Sequence, residues 1–238
     1  MARHLVVQLA SPLIAFGGET IDNHGVIRDF PALSMMTGLF ANALGWDRGE
    51  HEAHNQLQQR LQIGTLLLDG GHRLMDFQTA QLGAADKAWT TWGAPEERRG
   101  RADSYEAPHL RYRSYHADLT ALVVLRLEPS NEPPTLDDLA SALDRPARPL
   151  FIGRKACLPT GRLVAGWMEA ESVLAALQAL AQQQPESTGL RAQWPEGEGV
   201  QAQDRQLDVC DERNWTSGVH GGWRPVREGL LGTMEVMA

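Results

Sequence analysis

Leu119-Thr-Ala-Leu-Val-Val-Leu-Arg-Leu127 is the stretch that decides the fold, because it is the clearest β-strand in the sequence. A short apolar run rich in Val and Leu is typical of a strand buried in a sheet. Thr135-Leu-Asp-Asp138 follows it and resembles a capping box, which predicts the start of a helix that continues to Asp144. The sequence therefore places a strand and then a helix at this point.

Strands and helices also alternate on the N-terminal side of this stretch. His4–Ala10 is apolar on both faces in its middle, which predicts a central strand. Ser34 is predicted to cap a helix that Gly45 ends. The other predicted elements are a polar helix over Glu50–Leu61, two strands at Ile63–Leu68 and Arg73–Phe77 joined by a hairpin turn at Asp69-Gly-Gly-His72, and a final strand at Pro149–Gly153. The order β-α-β-β-α-β predicts an α+β fold of the ferredoxin-like, or RRM-like, type.

An insert interrupts this plan between its second and third strands. Residues 78–117 are rich in Arg, Trp, Tyr and Gly and are too polar to form a core, so we expect the segment to be functional. We therefore predict a domain over residues 1–158 that carries this insert, and a smaller C-terminal subdomain over residues 159–238. In the subdomain we expect a helix over Glu169–Gln183, a flexible loop over Gln184–Val200, and strands at Gln206–Cys210 and Gly232–Val236.

The insert combines the two kinds of residue that bind single-stranded RNA. Aromatic side chains stack on unpaired bases, and arginines bind phosphates. Trp89, Trp92, Tyr105, Tyr112 and Tyr115 alternate here with cations. A solvated loop whose aromatic side chains pack on the domain is the alternative. The candidate RNA-binding cations of the insert are Arg98, Arg99, Arg101, Arg111 and Arg113.

A second candidate site lies in Phe151-Ile-Gly-Arg-Lys-Ala-Cys-Leu-Pro159. Gly153 lets a backbone come close, and Arg154 and Lys155 then present a guanidinium fork and a point charge side by side. This arrangement suits a phosphodiester, although a solvated surface turn is the alternative. Ser34 is a further candidate phosphate ligand, since a helix N-terminus offers free N–H groups and the positive end of a dipole.

The distribution of charge separates the middle of the chain from its flanks. The net charge is −8, but residues 98–162 carry 11 basic and 8 acidic groups, which gives +3. Residues 1–97 carry 6 basic and 11 acidic groups, and residues 163–238 carry 5 and 11, which gives −5 and −6. This pattern favours a protein that binds RNA along one strip and contacts other proteins elsewhere.

Several classes of function are disfavoured by the sequence. No apolar run is long enough to cross a membrane and the N-terminus does not resemble a signal peptide, so we expect a cytoplasmic protein. Cys157 and Cys210 do not form a disulfide framework. The histidines lack metal-ligand spacing beyond His51 and His54, and no nuclease, P-loop or dinucleotide motif is present. We therefore predict no catalytic residue, no metal and no cofactor.

An ordered series of motifs resembles the CasD family, the subunit of the type I-E CRISPR Cascade complex that grips the 5′ end of the guide RNA. The resemblance covers residues 1 to about 165. In addition to the Phe151–Pro159 stretch, the motifs that carry it are Leu9-Ala-Ser-Pro-Leu-Ile-Ala-Phe-Gly17, Arg28-Asp-Phe-Pro-Ala-Leu-Ser34, Ala43-Leu-Gly45, Asp76-Phe-Gln-Thr79 and Arg111-Tyr-Arg-Ser-Tyr-His-Ala-Asp118.

The resemblance implies a non-catalytic subunit that binds the 5′ handle of the crRNA and contacts the backbone subunit and the large subunit of Cascade. Target DNA would be recognised through the assembled complex. The insert would be a thumb that folds over the guide, with Gln78 and Thr79 at its base, within reach of a base edge or sugar. Related proteins tend to carry Arg before Ser34 and Gly after it, where this chain has Leu33 and Met35, so Arg28 is the candidate replacement cation.

Two alternatives remain open. In the I-C branch of the same superfamily, the equivalent subunit is a metal-independent endoribonuclease that cuts precursor RNA. Such cleavage needs a base for the 2′-hydroxyl and a cation for the phosphate, for which His116 or His109, Lys155 and a Tyr are the candidates. The second alternative is a scaffold that contacts only proteins, against which the basic, aromatic insert argues.

Overall fold

The structure is a computed structural model that describes residues 1–81, 87, 108–184 and 189–232. The helices are α1 (Leu33–Leu44), α2 (His51–Arg60), α3 (Leu136–Asp144) and α4 (Val173–Gln182). The strands are β1 (Ala2–Ala10), β2 (Leu13–Ile14), β3 (Gly17–Ile21), β4 (His24–Ile27), β5 (Leu61–Asp69), β6 (His72–Ala80), β7 (His109–Ala117), β8 (Thr120–Leu127), β9 (Val164–Ala170), β10 (Leu190–Pro195), β11 (Arg205–Val209) and β12 (Arg224–Leu231).

A seven-stranded sheet in the order β11-β12-β10-β5-β8-β1-β9 forms the centre of the fold. The predicted strand at residues 119–127 is confirmed as β8, which pairs with β1 on one side and β5 on the other. Thr135 and Asp138 exchange the hydrogen bonds of a capping box at the start of α3, which confirms that prediction too. Mixed α/β architecture with large antiparallel pairings is therefore established.

Each face of this sheet has its own hydrophobic core, because side chains alternate along a strand. Val123 and Leu125 of β8 join the cluster beneath α1 and α3, whereas Leu122 and Val124 join the cluster beneath α4. Strand β10, from the C-terminal part of the chain, completes the second cluster with Trp194, which is fully buried. Residues on both sides of the predicted boundary at 158 and 159 thus share one sheet.

Two pairs of strands that follow one another connect this sheet to a second, smaller one. β5 and β8 pair up to Asp69 and Thr120, and β6 and β7 resume the pairing at His72 and Ala117. The predicted hairpin turn at residues 69–72 is therefore wrong, because the flanking strands pair with β8 and β7 and not with each other. Gly71 allows the backbone to pass close to Ala117. A Cβ on Gly71, whose φ is +55°, would lie 2.1 Å from the Ala117 carbonyl oxygen.

The second sheet has the order β2-β7-β4-β3, and β6 pairs with the other edge of β7 along its whole length. We call β6 and β7 together the ribbon. It contains the two ends of the predicted insert, and the residues between them lie largely outside the described ranges. The described ends of the insert thus belong to the ribbon, whose last pair is Ala80 and His109.

The predicted final strand at Pro149–Gly153 is wrong, and β9 takes its place beside β1. Proline lacks the N–H that a strand interior needs, and Gly153 has φ +85°, which is outside the β region. The Ile152 N–H donates to the Cys157 carbonyl at 2.8 Å, so this segment folds back on itself as a turn.

The C-terminal predictions need similar corrections. The helix begins at Val173, after the Ser172 N-cap, because residues 164–170 are a strand. The predicted loop at Gln184–Val200 contains β10, which the buried Trp194 anchors. The strand predicted at Gln206–Cys210 is confirmed as β11, whereas the one at Gly232–Val236 lies almost entirely outside the described residues. Among the described residues, no helix has the length and apolar character that crossing a membrane requires.

Candidate nucleic-acid interface

The turn at Gly153 is held against the N-terminal segment by a contact that only glycine allows. A Cβ at residue 153 would lie 1.8 Å from the Ala15 carbonyl oxygen, and the φ of +85° is unfavourable for other residues. Ile152 and Cys157 on either side are fully buried in the core beneath α1. The sequence correctly identified a close backbone approach here, but the approaching backbone belongs to the protein itself.

The two cations after Gly153 point in different directions. Arg154 donates hydrogen bonds to the carbonyls of Ser114 at 2.7 Å and Gly25 at 2.9 Å, and its guanidinium lies over the Tyr115 ring. It therefore joins the turn to β7 and β4. Lys155 is exposed, and among the described residues it has no hydrogen-bond or ion-pair partner. Of the pair that the sequence predicted, Lys155 is the one with a free charge.

The N-terminus of α1 already has an anion. Asp211 accepts the N–H of Leu33 through its carboxylate at 3.1 Å, and its carbonyl accepts the N–H of Ser34 at 3.0 Å. Arg224 binds the same carboxylate with two hydrogen bonds. The prediction that Ser34 caps the helix is wrong, because the N-cap is Ala32 and Ser34 lies in the first turn.

Arg28 also has partners within the protein. Its guanidinium donates to the Cys210 carbonyl at 2.5 Å, and its own carbonyl lies 2.8 Å from Nε2 of His116. The residue thus connects β4 to the C-terminal segment near Asp211. The α1 terminus is therefore neutralised by Asp211 and Arg224, and Arg28 is not held there as a free cation.

A groove of about 580 Å³ nevertheless brings together three of the residues that the sequence singled out. Ser34, Gly153 and Lys155 line it, although Ser34 lies more than a hundred positions from the other two in the chain. We use "the groove" for this cavity between α1, the Gly153 turn and the loop that follows β11. Its further cations and aromatic side chains are Arg48, Arg148, Arg213, Trp46, Trp215, His54, Phe151 and His220.

Most of the cations of the groove lack a carboxylate. Arg148 donates to the Trp46 carbonyl and forms an ion pair with Asp47. Arg48, Lys155 and Arg213 have no such partner anywhere in the described ranges. Sequence reasoning missed Arg48 and Arg213. The loop that carries Arg213 has no motif beyond a glycine pair before Trp223.

The ribbon divides its candidate residues between two faces. Gln78 lies opposite Arg111 and Asp76 lies opposite Arg113, so these side chains share one face. Tyr115, on which Arg154 packs, is two residues further along β7 on that same face. Arg111 and Arg113 are exposed, and this face leads to the Gly153 turn and the groove.

The other face of the ribbon is aromatic. Phe77 lies 5.1 Å from Tyr112, which stacks on His24 with a ring separation of 4.7 Å, and Phe77 is 53% exposed. Thr79 lies on this face, opposite Leu110, and is thus separated from Gln78. The remaining predicted cations of the insert, Arg98, Arg99 and Arg101, lie outside the described residues.

The two histidines considered as alternatives for RNA cleavage lie in different surroundings, His116 buried and His109 exposed. His116 is 4% exposed, and burial lowers its pKa, so it is a neutral core residue beside the Arg28 carbonyl. His109 is seven positions away on the same strand, or roughly 23 Å at 3.3 Å per residue. Within the described part of the chain, no three His, Cys, Asp or Glu side chains are grouped as metal ligands would be.

Known proteins share sequence similarity and the fold with this chain. A family model described as "CRISPR-associated protein (Cas_Cas5)" matches residues 4–227. "CRISPR system Cascade subunit CasD" from Escherichia coli (strain K12) is 28% identical over 181 residues, which is 74% of this chain and 76% of that protein.

Two solved structures share the fold over most of their length. A chain of a "CRISPR RNA-guided surveillance complex" aligns with a TM-score of 0.71 and 21% identity over 96% of this chain and 90% of that one. A "Crystal structure of Cas protein" aligns with a TM-score of 0.59 and 22% identity over 96% and 95%. At these identities, the two structures establish the fold.

Proposed function

Because the chain belongs to the Cas5 family of CRISPR-associated proteins, we propose that it is a non-catalytic subunit of a type I-E Cascade complex that binds the 5′ handle of the crRNA. The observation that carries the proposal is the run of unpaired cations from the groove to the ribbon. Lys155 and Arg113 have no partner in the described ranges, and Arg154 holds the turn between them. Unpaired cations in a groove that also contains aromatic rings, such as Lys155 with Trp46 and Trp215, suit single-stranded RNA.

The proposed path has a phosphate-binding part and a stacking part. Lys155, Arg111 and Arg113 would bind phosphates, and Gln78, on the same face of the ribbon, would reach a base edge or sugar. Phe77 and Tyr112 on the opposite face offer surfaces on which bases stack. Gly153 and Arg154 would act indirectly, because they hold the turn in position.

The partners follow from the family and from the charge distribution. We assign the acidic flanks to contacts with the backbone and large subunits, since residues 163–238 carry a net charge of −6 and suit RNA poorly. Target DNA would be bound through the assembled complex, in the cytoplasm. The subunit positions the guide and does no chemistry of its own.

We also assign the core of the chain to the ferredoxin-like class. The order β9-β1-β8-β5 in the sheet, with α1 after β1 and α3 after β8, supports this assignment. The proposed domain over residues 1–158 would then need β9, from beyond its boundary, as its fourth strand.

Removal of the part of the insert that lies beyond the ribbon tests the proposal. Replacement of residues 81–108 by a short Gly-Ser loop is feasible, because Ala80 and His109 are paired neighbours. We expect normal thermal melting but a loss of guide-RNA binding of more than about a hundredfold, since each lost stacking contact costs about 1–3 kcal/mol. A variant that melts normally and still loads guide RNA would overturn the role of the insert.

The non-catalytic part of the proposal has its own readout with the same preparations. A repeat hairpin RNA incubated with the wild-type protein in EDTA should stay intact. Cleavage that His109→Ala abolishes would establish the endoribonuclease instead.

A further inference from the structure

The loop after β11 holds Arg213 and Trp215 in fixed positions on the wall of the groove. The side-chain oxygen of Gln58 on α2 accepts the Arg213 N–H at 3.2 Å, and its NH₂ donates to the Arg213 carbonyl at 3.1 Å. The same oxygen accepts Nε1 of Trp215 at 3.0 Å. Because Gln58 is buried, this clamp positions both residues before any ligand arrives.

The Arg213 side chain has no anion. Its Nε is buried and unpartnered, and the guanidinium makes no hydrogen bond or ion pair with any described residue. It lies 5.3 Å from the centre of the Trp215 ring. Burial and then the nearby charge of Arg48 lower the pKa of Arg213. A cation that is partly desolvated beside another cation is costly unless an anion completes the site.

Nearby carboxylates do not supply that anion. The carboxylate of Glu212, the residue before Arg213, lies against Gly222, and Asp211 binds Arg224. Asp47 forms its ion pair with Arg148. Asp211 and Asp47 are therefore engaged elsewhere and the Glu212 carboxylate forms no ion pair with Arg213 or Arg48, so the position beside these two arginines remains available to an external anion.

The rest of the groove shows what kind of anion fits. Trp46 and Trp215 flank His54, with ring separations of 5.5 and 4.6 Å, so one side of the groove is aromatic. Lys155 lines the groove from the Gly153 turn, whereas Arg213 lines it from the loop after β11. A groove of about 580 Å³ with cations from two separate segments and an aromatic side is larger than a single phosphate needs, and it suits a nucleotide chain.

We propose that Arg213, together with Arg48, binds a phosphodiester of single-stranded RNA that enters the groove beside Trp215. This inference rests on the proposed RNA-binding function and extends it to the C-terminal part of the chain. The loop after β11 would thus form the second wall of the RNA site, opposite the Gly153 turn.

The test compares Arg213→Gln with Arg145→Gln, which removes an exposed arginine that lies outside the groove and whose side chain makes no hydrogen bond or ion pair in the described ranges. The probe is a labelled single-stranded RNA copied from the 5′ end of the host's guide, and binding to the full-length protein is measured at several salt concentrations. We expect Arg213→Gln to weaken binding about tenfold to a hundredfold. The slope of log affinity against log salt should fall by about 0.7.

Stability provides a readout that a structural role would not give. Because Arg213 is an unpaired cation in the free protein, Arg213→Gln should melt at the wild-type temperature or above while it binds RNA less well. If it melts lower, Arg213→Lys decides: it keeps the charge, and wild-type salt dependence would support the proposal, whereas a slope as low as that of Arg213→Gln would oppose it.

The outcomes separate this inference from the proposed function. If Arg213→Gln binds like the wild type while the variant without residues 81–108 does not, the inference fails and the proposed function stands. If the wild type binds no RNA even in the assembled complex, both fail. A loss confined to RNA with a 5′ phosphate, and absent with a 5′ hydroxyl, would overturn the assignment to a phosphodiester.

Discussion

The arginines of the C-terminal strands and the cations of the groove differ in whether a carboxylate neutralises them. Arg224 and Arg227, on β12, are mostly buried and pair with the buried carboxylates of Asp211 and Asp204. Arg213 belongs to the same part of the chain and has no such partner among the described residues. The difference shows that Arg213 has a charge left for a ligand, whereas the arginines of β12 stabilise the fold.

The comparison also explains how an acidic protein can bind RNA. A net charge of −8 describes the whole chain, but the field at one surface depends on which cations lack a neighbouring carboxylate. Arg191 and Arg205 share the Glu228 carboxylate, so they add little positive potential. Lys155 and Arg113 retain their positive potential, because neither has a partner among the described residues.

Asp211→Ala should have the largest effect on stability, because it breaks the paired side of the comparison. The change leaves Arg224 buried without its partner and removes the acceptor for the Leu33 N–H. We expect the free energy of unfolding to fall by about 3–5 kcal/mol, measured by urea denaturation. Asp144→Ala is the control: its partner Arg162 is exposed, so solvent screens the pair and the loss should be much smaller than that of Asp211→Ala. Equal effects of the two changes would contradict the distinction.

Arg154→Ala should have an intermediate effect, because this arginine binds backbone carbonyls. It removes the donors to Ser114 and Gly25 and the contact with Tyr115, so we expect a loss of about 1–3 kcal/mol in unfolding free energy. RNA binding should weaken only in proportion to the unfolding. Unchanged melting with a reduced salt slope would show instead that Arg154 contacts a phosphate.

The sequence predicted the fold well wherever local patterns act alone. The apolar run of β8, the capping box at Thr135 and the stop at Gly45 are all local signals, and each is confirmed. The errors lie where pairing partners decide. Gly70 and Gly71 have the composition of a hairpin turn. However, β5 pairs with β8 and β6 pairs with β7, so the two pairings follow one another along the same two segments of chain.

The candidate site was predicted only in part, because local patterns reveal some of its residues and contacts between distant segments decide the rest. Residue type identified Gly153 and Lys155, and the groove unites them with Ser34. The sequence could not show that Arg154 turns inward or that Asp211 occupies the terminus of α1, because both depend on contacts between distant segments. Arg213 was missed because an unpaired charge is recognisable only once the partners of its neighbours are known.

Lys155→Ala should have the smallest effect on stability and tests the unpaired side of the comparison. The side chain is exposed and has no partner in the described ranges, so the free energy of unfolding should change by less than about 0.5 kcal/mol. If Lys155 binds a phosphate, the slope of log RNA affinity against log salt should fall by about 0.7, and by twice that when Arg113→Ala is added. Arg145→Ala, outside the groove, should leave the slope as it is. A slope that stays at the wild-type value in the double variant would mean that these cations are solvated and do not contact RNA.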